Sequence, residues 1–172
     1  MANKKLFLII GLFWLVIIIG FVSLKEFTLK TGEEVLLKTM PVDPRDLFRG
    51  DYIVLNYQIS SINLDSLGTD ALNFSVNDKA YVVLNKENEY GIPAGIYKNK
   101  PEESLSIKGT VKDIRNRQLT VEYGIESYFI PEGKGGEIER QLGRNLDVKI
   151  SVDEFGNAAI ISLVSEGKEL DI

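Results

Sequence analysis

The sequence predicts a mainly β protein, in which one N-terminal transmembrane helix precedes a small antiparallel β-barrel or sandwich. Two observations support this prediction. The N-terminus contains a long run without charge, and much of the remaining chain alternates apolar and polar residues in short segments separated by turn-forming residues. We therefore divide the chain into a cytoplasmic N-terminus with its anchor, 1–24, and one extracytoplasmic β-rich domain, 25–172.

The predicted anchor is the uncharged run from Leu6 to Leu24. A helix over it would extend about 28 Å, close to the roughly 30 Å of a bilayer's hydrocarbon core. Lys4 and Lys5 precede the run, and positive charge stays on the cytoplasmic side, so we expect the domain to lie outside the cell membrane. A cleavable signal peptide is the alternative. The length of the run and the lack of a small-x-small site after it favour a retained anchor.

Alternating segments predict about seven to nine strands in the domain. The first, over 51–59, places four apolar side chains on one face: Ile53, Leu55, Tyr57 and Ile59. Further strands are expected over 79–86, 104–114, 118–124 and 126–130, and in a hairpin formed by 146–152 and 158–164.

The segments between these strands carry weaker signals. A strand over 26–39 is expected to lead from the anchor into the sheet, with Gly32 as a bulge. The stretches 68–78 and 87–104 are predicted to be loops, and 136–143 a short helix. In the 146–164 hairpin, Gly156 and Asn157 suit the loop because both residue types tolerate positive φ.

Composition excludes several kinds of chemistry. The chain has no histidine and no cysteine, which excludes a Ser-His-Asp triad, histidine-ligated zinc, thiolate catalysis and disulfides. From Lys25 onward there are 18 basic and 25 acidic residues, a net charge of −7. A domain this acidic is not expected to bind nucleic acid or an anionic lipid surface. No metal and no cofactor are expected.

The stretch DPRDLFRGDYIVLNY, 43–57, combines a charged turn with the start of the first strand. Asp side chains in turns accept backbone N–H bonds, and arginines match carboxylates. One interpretation is a charged turn that closes the entrance of the β domain. The candidate residues of this stretch are Asp43, Arg45, Asp46, Arg49, Gly50, Asp51, Tyr52, Leu55 and Tyr57.

A second stretch, YGIESYFIPEGKGGEIE at 123–139, gathers carboxylates close to a strand. We hypothesise that the two stretches meet and form ion pairs between Arg45 or Arg49 and these carboxylates. The cluster would be either a surface network of little energetic value or a recognition groove for a partner. The candidate residues of this stretch are Tyr123, Gly124, Glu126, Tyr128, Glu132 and Gly133, with Glu137 and Glu139 as further carboxylates.

The segment GDYIVLNY, 50–57, resembles the bacterial GDYxxLxY family of membrane-anchored proteins at every fixed position, and DPRDLFR and 123–139 resemble it too. The likeness covers the anchor and nearly the whole domain. It implies a single-span topology and a possible multi-span membrane protein as partner. It implies no particular reaction.

Two catalytic alternatives remain weak. A Ser–Lys signal peptidase needs a serine before an L-x-x-G-D segment, and no serine occurs between Lys25 and Ser60. A carboxylate pair such as Glu126 with Asp51 would suit a glycosidase, but acidic residues are frequent enough to pair by chance. We therefore expect a non-enzymatic protein, held in the lipid bilayer by 6–24, that binds a membrane or envelope protein. An envelope hydrolase acting through Asp and Glu is the alternative.

Overall fold

The computed structural model describes residues 2–40, 52–69, 73–131 and 146–170, with side chains from Lys4 onward. Within these ranges the chain forms one α-helix, one short 3-10 helix at Gln58–Ser60 and twelve strands. The elements are α1 (Ala2–Thr31), β1 (Glu33–Lys38), β2 (Tyr52–Val54), β3 (Ser61–Asn63), β4 (Gly68–Thr69), β5 (Lys79–Glu87), β6 (Tyr90–Tyr97), β7 (Ser106–Arg115), β8 (Gln118–Glu122), β9 (Ser127–Phe129), β10 (Leu146–Val152), β11 (Ala158–Ser165) and β12 (Lys168–Glu169).

Helix α1 is long and apolar enough to span a membrane, and nearly all its side chains are exposed. It does not end with the uncharged run at Leu24. A salt bridge of 2.9 Å between Lys30 Nζ and Glu26 Oε2 joins its last turns. The Thr31 hydroxyl donates to the carbonyl of Phe27 at 2.8 Å. The predicted strand over 26–39 is therefore wrong up to Thr31, because local helical contacts outweigh the β propensity of its residues.

Ten of the described strands form one mixed sheet, with the order β12-β11-β10-β1-β6-β5-β7-β8-β3 and β4 beside β6. Most neighbours are antiparallel, while β6 pairs in parallel with β1 and with β4. The remaining two, β2 and β9, form a separate antiparallel ribbon. The mainly β prediction is confirmed. In the described part, however, the end strands β12 and β3 do not pair, so the sheet is not closed into a barrel.

The alternating segments bury the expected faces. Ile53, Leu55, Tyr57 and Ile59 all lie in the core, although β2 itself ends at Val54. Alternate residues of β5, β7, β8 and β10 enter the same hydrophobic cluster. The β10–β11 hairpin forms as predicted, with Gly156 at φ +83°. The period of two therefore identified these core faces correctly.

Strand β6 was missed, because 87–104 was predicted to be a loop. Its Gly91, Pro93 and Gly95 suggest a turn, yet each has a place in the sheet. The register against β5 skips Ala94, so Pro93 lies beside a bulge, where a missing donor is tolerated. A Cβ on Gly95 would lie 2.9 Å from the carbonyl oxygen of Gly68 in β4. The glycine thus permits the close approach of the two strands.

The end of α1 is attached to the β10–β11 hairpin by a buried polar contact, which we call the anchor joint: Thr28, Gly32, Ser151 and Asp153. The Thr28 hydroxyl donates to Asp153 Oδ2 at 2.7 Å, and Ser151 Oγ donates to the Thr28 carbonyl at 2.6 Å. Gly32 N donates to the same carbonyl at 3.0 Å. A Cβ on Gly32 would lie 2.6 Å from that oxygen. The joint therefore holds the helix against the sheet.

Asp153 also organises the hairpin loop. Its Oδ1 accepts the N–H groups of Phe155 and Asn157 at 2.9 and 2.8 Å, and its Oδ2 accepts Asn157 Nδ2 at 3.0 Å. Burial alone would raise the pKa of Asp153, but the hydrogen bonds from Asn157, Thr28 and Phe155 outweigh it, so the pKa lies below its ordinary value. The carboxylate is therefore ionised at neutral pH and accepts from both the helix and the loop.

We expect Thr28→Val to lower the free energy of unfolding by about 2 kcal/mol, because it removes a donor from a buried carboxylate. Thr31→Val is the matched control, since the Thr31 hydroxyl bonds only within the exposed side of α1. Urea denaturation followed by circular dichroism of the sheet measures both.

The loss of unfolding free energy in Thr28→Val should depend on pH in a defined direction. A carboxyl group whose pKa is lowered on folding stabilises the fold above its unfolded pKa of about 3.9, and this contribution disappears as the pH falls through the folded pKa. The difference in free energy of unfolding between Thr28→Val and the unmodified chain should thus become smaller below about pH 4. An equal loss in both threonine variants at pH 7 would contradict the role of the joint.

Candidate functional site at the paired signature segments

The β2–β9 ribbon brings the described parts of the two motif stretches together. Tyr52 pairs with Phe129, Ile53 with Tyr128 and Val54 with Ser127. Beyond the ribbon, the Leu55 amide donates to the carbonyl of Glu126 at 2.8 Å. The contact between the stretches is thus made by backbone pairing.

Two buried tyrosines tie the stretches together in both directions. The Tyr57 hydroxyl, from the first stretch, donates to the carbonyl of Ile125 at 2.6 Å. The Tyr123 hydroxyl, from the second, donates to the carbonyl of Ile59 at 2.5 Å. We call Tyr57 and Tyr123 the tyrosine pair. Because each hydroxyl satisfies a backbone acceptor across the junction, loss of either bond leaves a buried polar group unpaired.

A tight turn between β8 and β9 positions the second partner of this junction. Gly124 has φ +78°, a conformation that suits glycine. The Glu126 side chain then folds back, and its Oε1 accepts the amide of Tyr123 at 2.6 Å. Glu126 is therefore occupied as an intra-turn acceptor, while its own carbonyl binds Leu55.

Burial sets the protonation of the tyrosine pair. Desolvation raises the pKa of Tyr57 and that of Tyr123 well above the ordinary value, and the Glu126 carboxylate raises both further. Both hydroxyls are therefore protonated at physiological pH and act as donors. An un-ionised, buried phenol suits a structural tie, and neither group is exposed to a substrate in solution.

The outer face of the ribbon presents aromatic surface. Phe129 is 71% exposed, and Tyr52, its directly paired neighbour, is 40% exposed. Val54, which lies on β2 with Tyr52, is half-buried. We call Tyr52, Val54 and Phe129 the aromatic face. It is the exposed aromatic surface of the described parts of the two motif stretches, where Asn56, Gly124, Ser127 and Pro131 are exposed as well.

The predicted site residues thus separate into three groups. Leu55, Tyr57 and Tyr123 belong to the core; Gly124 and Glu126 form the turn; Tyr52 is exposed and Tyr128 half-buried on the ribbon. The other candidates lie outside the described residues, as do the proposed ion pairs and the predicted helix over 136–143. They are Asp43, Arg45, Asp46, Arg49, Gly50, Asp51, Glu132 and Gly133, together with Glu137 and Glu139.

Sequence reasoning did not select Phe129. Alternation along the predicted strand 126–130 places Phe129 with Ser127, on the face opposite Glu126 and Tyr128. The available signal was an aromatic residue on the polar face of a strand, where packing does not call for one. In the described ranges, no group of three or more Asp or Glu side chains is arranged to hold a metal ion.

Fold and junction together define a class of protein: an N-terminal apolar helix attached to a mainly β domain, in which two sequence motifs pair and bury Tyr57 and Tyr123. Comparison with protein families then identifies the relatives. The model of the family described as GDYXXLXY protein matches residues 14–163, and the chain belongs to this family. No curated protein and no solved structure matches it.

We expect Tyr57→Phe and Tyr123→Phe each to lower the free energy of unfolding by about 1–3 kcal/mol, since each leaves a buried carbonyl without its donor. Tyr81→Phe is the control, because its half-buried hydroxyl forms no hydrogen bond among the described residues. Urea denaturation of the three variants measures these free energies. An equal loss of unfolding free energy in Tyr81→Phe would contradict the structural role of the two tyrosine hydrogen bonds.

Stability should also fall in alkali. A tyrosine whose pKa is raised on folding contributes stability below its unfolded pKa of about 10, and that contribution is lost as the pH rises further. Urea midpoints measured from neutral pH to above pH 10 should therefore decline, and the decline should be shallower in the Tyr57→Phe/Tyr123→Phe double variant. If the urea midpoints of the double variant and the unmodified chain decline equally with pH, other groups cause the decline.

Proposed function

We propose that this chain is a single-span membrane protein whose extracytoplasmic β domain binds a membrane or envelope protein partner and catalyses no reaction. The observation that supports it most strongly is the aromatic face, which exposes Phe129 and Tyr52 on the ribbon made by the two motif stretches. Exposed aromatic residues beside a well-ordered core are typical of interface hot spots.

The proposed topology rests on charge and length. Lys4 and Lys5 flank the first end of α1, and the positive-inside rule then places this end in the cytoplasm and the domain on the other side of the cell membrane. The helix has 30 residues, about 45 Å at about 1.5 Å per residue, which exceeds the roughly 30 Å hydrocarbon core. Its last turns therefore extend beyond the core, where the anchor joint meets them.

The chemistry of the junction favours binding over catalysis. Tyr57 and Tyr123 are buried donors to backbone carbonyls, and Glu126 accepts a backbone amide. These groups already have structural partners. The aromatic face, by contrast, loses water-exposed apolar surface when a partner covers it, which at about 25 cal/mol per Å² supplies binding energy. A partner with a complementary apolar patch at the outer membrane surface fits this arrangement.

The test is cross-linked capture from native membranes with the full-length chain. We expect one multi-span membrane protein to be recovered in a fixed ratio, and Phe129→Ser to reduce recovery by at least about tenfold, the size of an aromatic hot spot. Ile92→Ser is the matched control, because Ile92 is 37% exposed on β6, a strand outside the ribbon.

A photo-reactive residue at position 129 should form a cross-link to the same protein, which places the contact at the aromatic face. Equal recovery with Phe129→Ser and Ile92→Ser would contradict the assignment of this face. Turnover of an envelope substrate that Asp51→Asn abolishes while capture is unchanged would instead support a hydrolase acting through carboxylates.

A further inference from the structure

A pocket of about 350 Å³ lies beside the end of α1 and contains three lysines, Lys25, Lys79 and Lys108. They come from distant points of the sequence: the helix, the start of β5 and β7. Among the described residues none of the three has a carboxylate within 4.0 Å. We call this the lysine pocket. Three lysines that are not ion-paired in this part of the chain favour an anion.

One carboxylate also lines this pocket. Glu122 belongs to β8, and its Oε2 lies 2.6 Å from Lys112 Nζ, which neutralises it. The hydroxyl-bearing Thr110 lines the pocket as well, and so does Asn157, whose Nδ2 donates to Asp153 Oδ2. The site thus combines a surplus of positive charge with neutral polar groups, which suits a phosphate ester.

An apolar groove of about 270 Å³ adjoins the lysine pocket. Phe21, Leu24 and Phe27 of α1 form one side, and Phe155 at the tip of the β10–β11 loop forms the other. Thr28 and Asp153 of the anchor joint line it too, and the Asp153 carboxylate there is already bonded to Thr28 and Asn157. Phe155 is 60% exposed. The groove and the lysine pocket share the residues Lys25, Asn157 and Ala158 as a common wall. The two cavities therefore form one continuous surface, apolar at one end and cationic at the other.

The position of this surface along α1 determines what can reach it. Leu24 is the last residue of the uncharged run and Lys25 the first charged residue after it, so this level of the helix is the boundary between hydrocarbon and headgroups. Phe21 and Leu24 lie on the hydrocarbon side of that boundary. A molecule that fills both cavities must present an anion just above the boundary and a hydrocarbon chain just below it.

We propose that the lysine pocket and the groove bind an anionic phospholipid of the outer leaflet, whose phosphate lies among the three lysines and whose acyl chain lies along the groove. The net charge of −7 beyond the anchor suggests the opposite behaviour. Three lysines nevertheless converge beside the helix, and charge close to a membrane within a Debye length decides lipid preference. The inference rests on the membrane-spanning role of α1 and is independent of any protein partner.

The experiment uses the purified full-length chain in nanodiscs of phosphatidylcholine containing a minority of phosphatidylglycerol. The protein is extracted in mild detergent, and the retained lipid is analysed by native mass spectrometry. We expect phosphatidylglycerol to be enriched over the supplied mixture. Each lysine replaced by glutamine should reduce the enrichment about fivefold, the increment that one lysine provides near an anionic surface.

The variants separate this site from charge in general. The Lys25→Gln/Lys79→Gln double variant removes two exposed groups without touching the core, and the Lys25→Arg/Lys79→Arg variant should retain the enrichment. The control, Lys86→Gln/Lys168→Gln, makes the same change in net charge with residues that do not line the pocket. Phe155→Ser should weaken retention of the lipid while leaving the three lysines in place.

Two results would overturn the proposed phospholipid site. No enrichment of phosphatidylglycerol, or an equal loss in the control variant, overturns the proposal. Displacement of the lipid by inorganic phosphate alone, with Phe155→Ser indistinguishable from the unmodified chain, identifies a soluble anion site and also overturns it. Because no partner protein is present, a failure here leaves the aromatic face unaffected, and a failed capture experiment leaves the lipid site unaffected.

Discussion

The hydrogen bond between Thr28 and Asp153 is the contact on which the arrangement of helix and sheet depends. It joins residues 125 positions apart in the chain and is buried from water. The same carboxylate shapes the β10–β11 loop, so one ionised group holds the helix end and the tip that carries Phe155. Breaking it would remove one donor from a buried carboxylate, while the three donors of the loop remain. The joint therefore determines which end of the domain lies next to the apolar helix.

The signature that defines the family has a physical explanation in the described residues. Leu55 and Tyr57 lie in the core, and the Tyr57 hydroxyl crosses to the second motif stretch. Tyr123 returns the same kind of bond. Leu55 and Tyr57 of this pattern are thus packing residues, while its Tyr52 lies on the exposed outer side of the ribbon. Partner and lipid sites would then be separate surfaces of one anchored body.

Much of the fold could be predicted because its strands follow the simplest rule of a one-sided sheet. Alternation identified the buried face of 51–59 and of the strands that became β5, β7, β8 and β10. Strand β6 was missed because Gly91 and Gly95 signal turns when nothing shows that neighbouring backbone must approach closely there. The helix end was misplaced because the run after Leu24 is charged, and its stabilising contacts with Asp153 and Ser151 arise only in the folded chain.

The site could be predicted only in part for the same reason. The residue types of the two stretches indicated that they belong together, but the partners of Tyr57 and Tyr123 are backbone carbonyls, which carry no sequence signal. The lysine pocket gave no signal either, since Lys25, Lys79 and Lys108 are scattered through an acidic chain. Charge totals describe the whole domain, whereas binding depends on the few groups that folding brings to one place.

If the anchor joint holds the β10–β11 tip at the membrane surface, the depth of a label at this tip in a bilayer will reveal it. Because the chain has no cysteine, Glu154→Cys gives a single spin-label site beside Phe155, and Asn116→Cys labels the β7–β8 turn at the opposite end of β7 from Lys108. In nanodiscs, power saturation should place the label at 154 at headgroup level, shielded from a water-soluble relaxation agent, and the label at 116 fully in water. Equal exposure of the two labels to that agent would show that the joint does not hold the tip at the membrane surface.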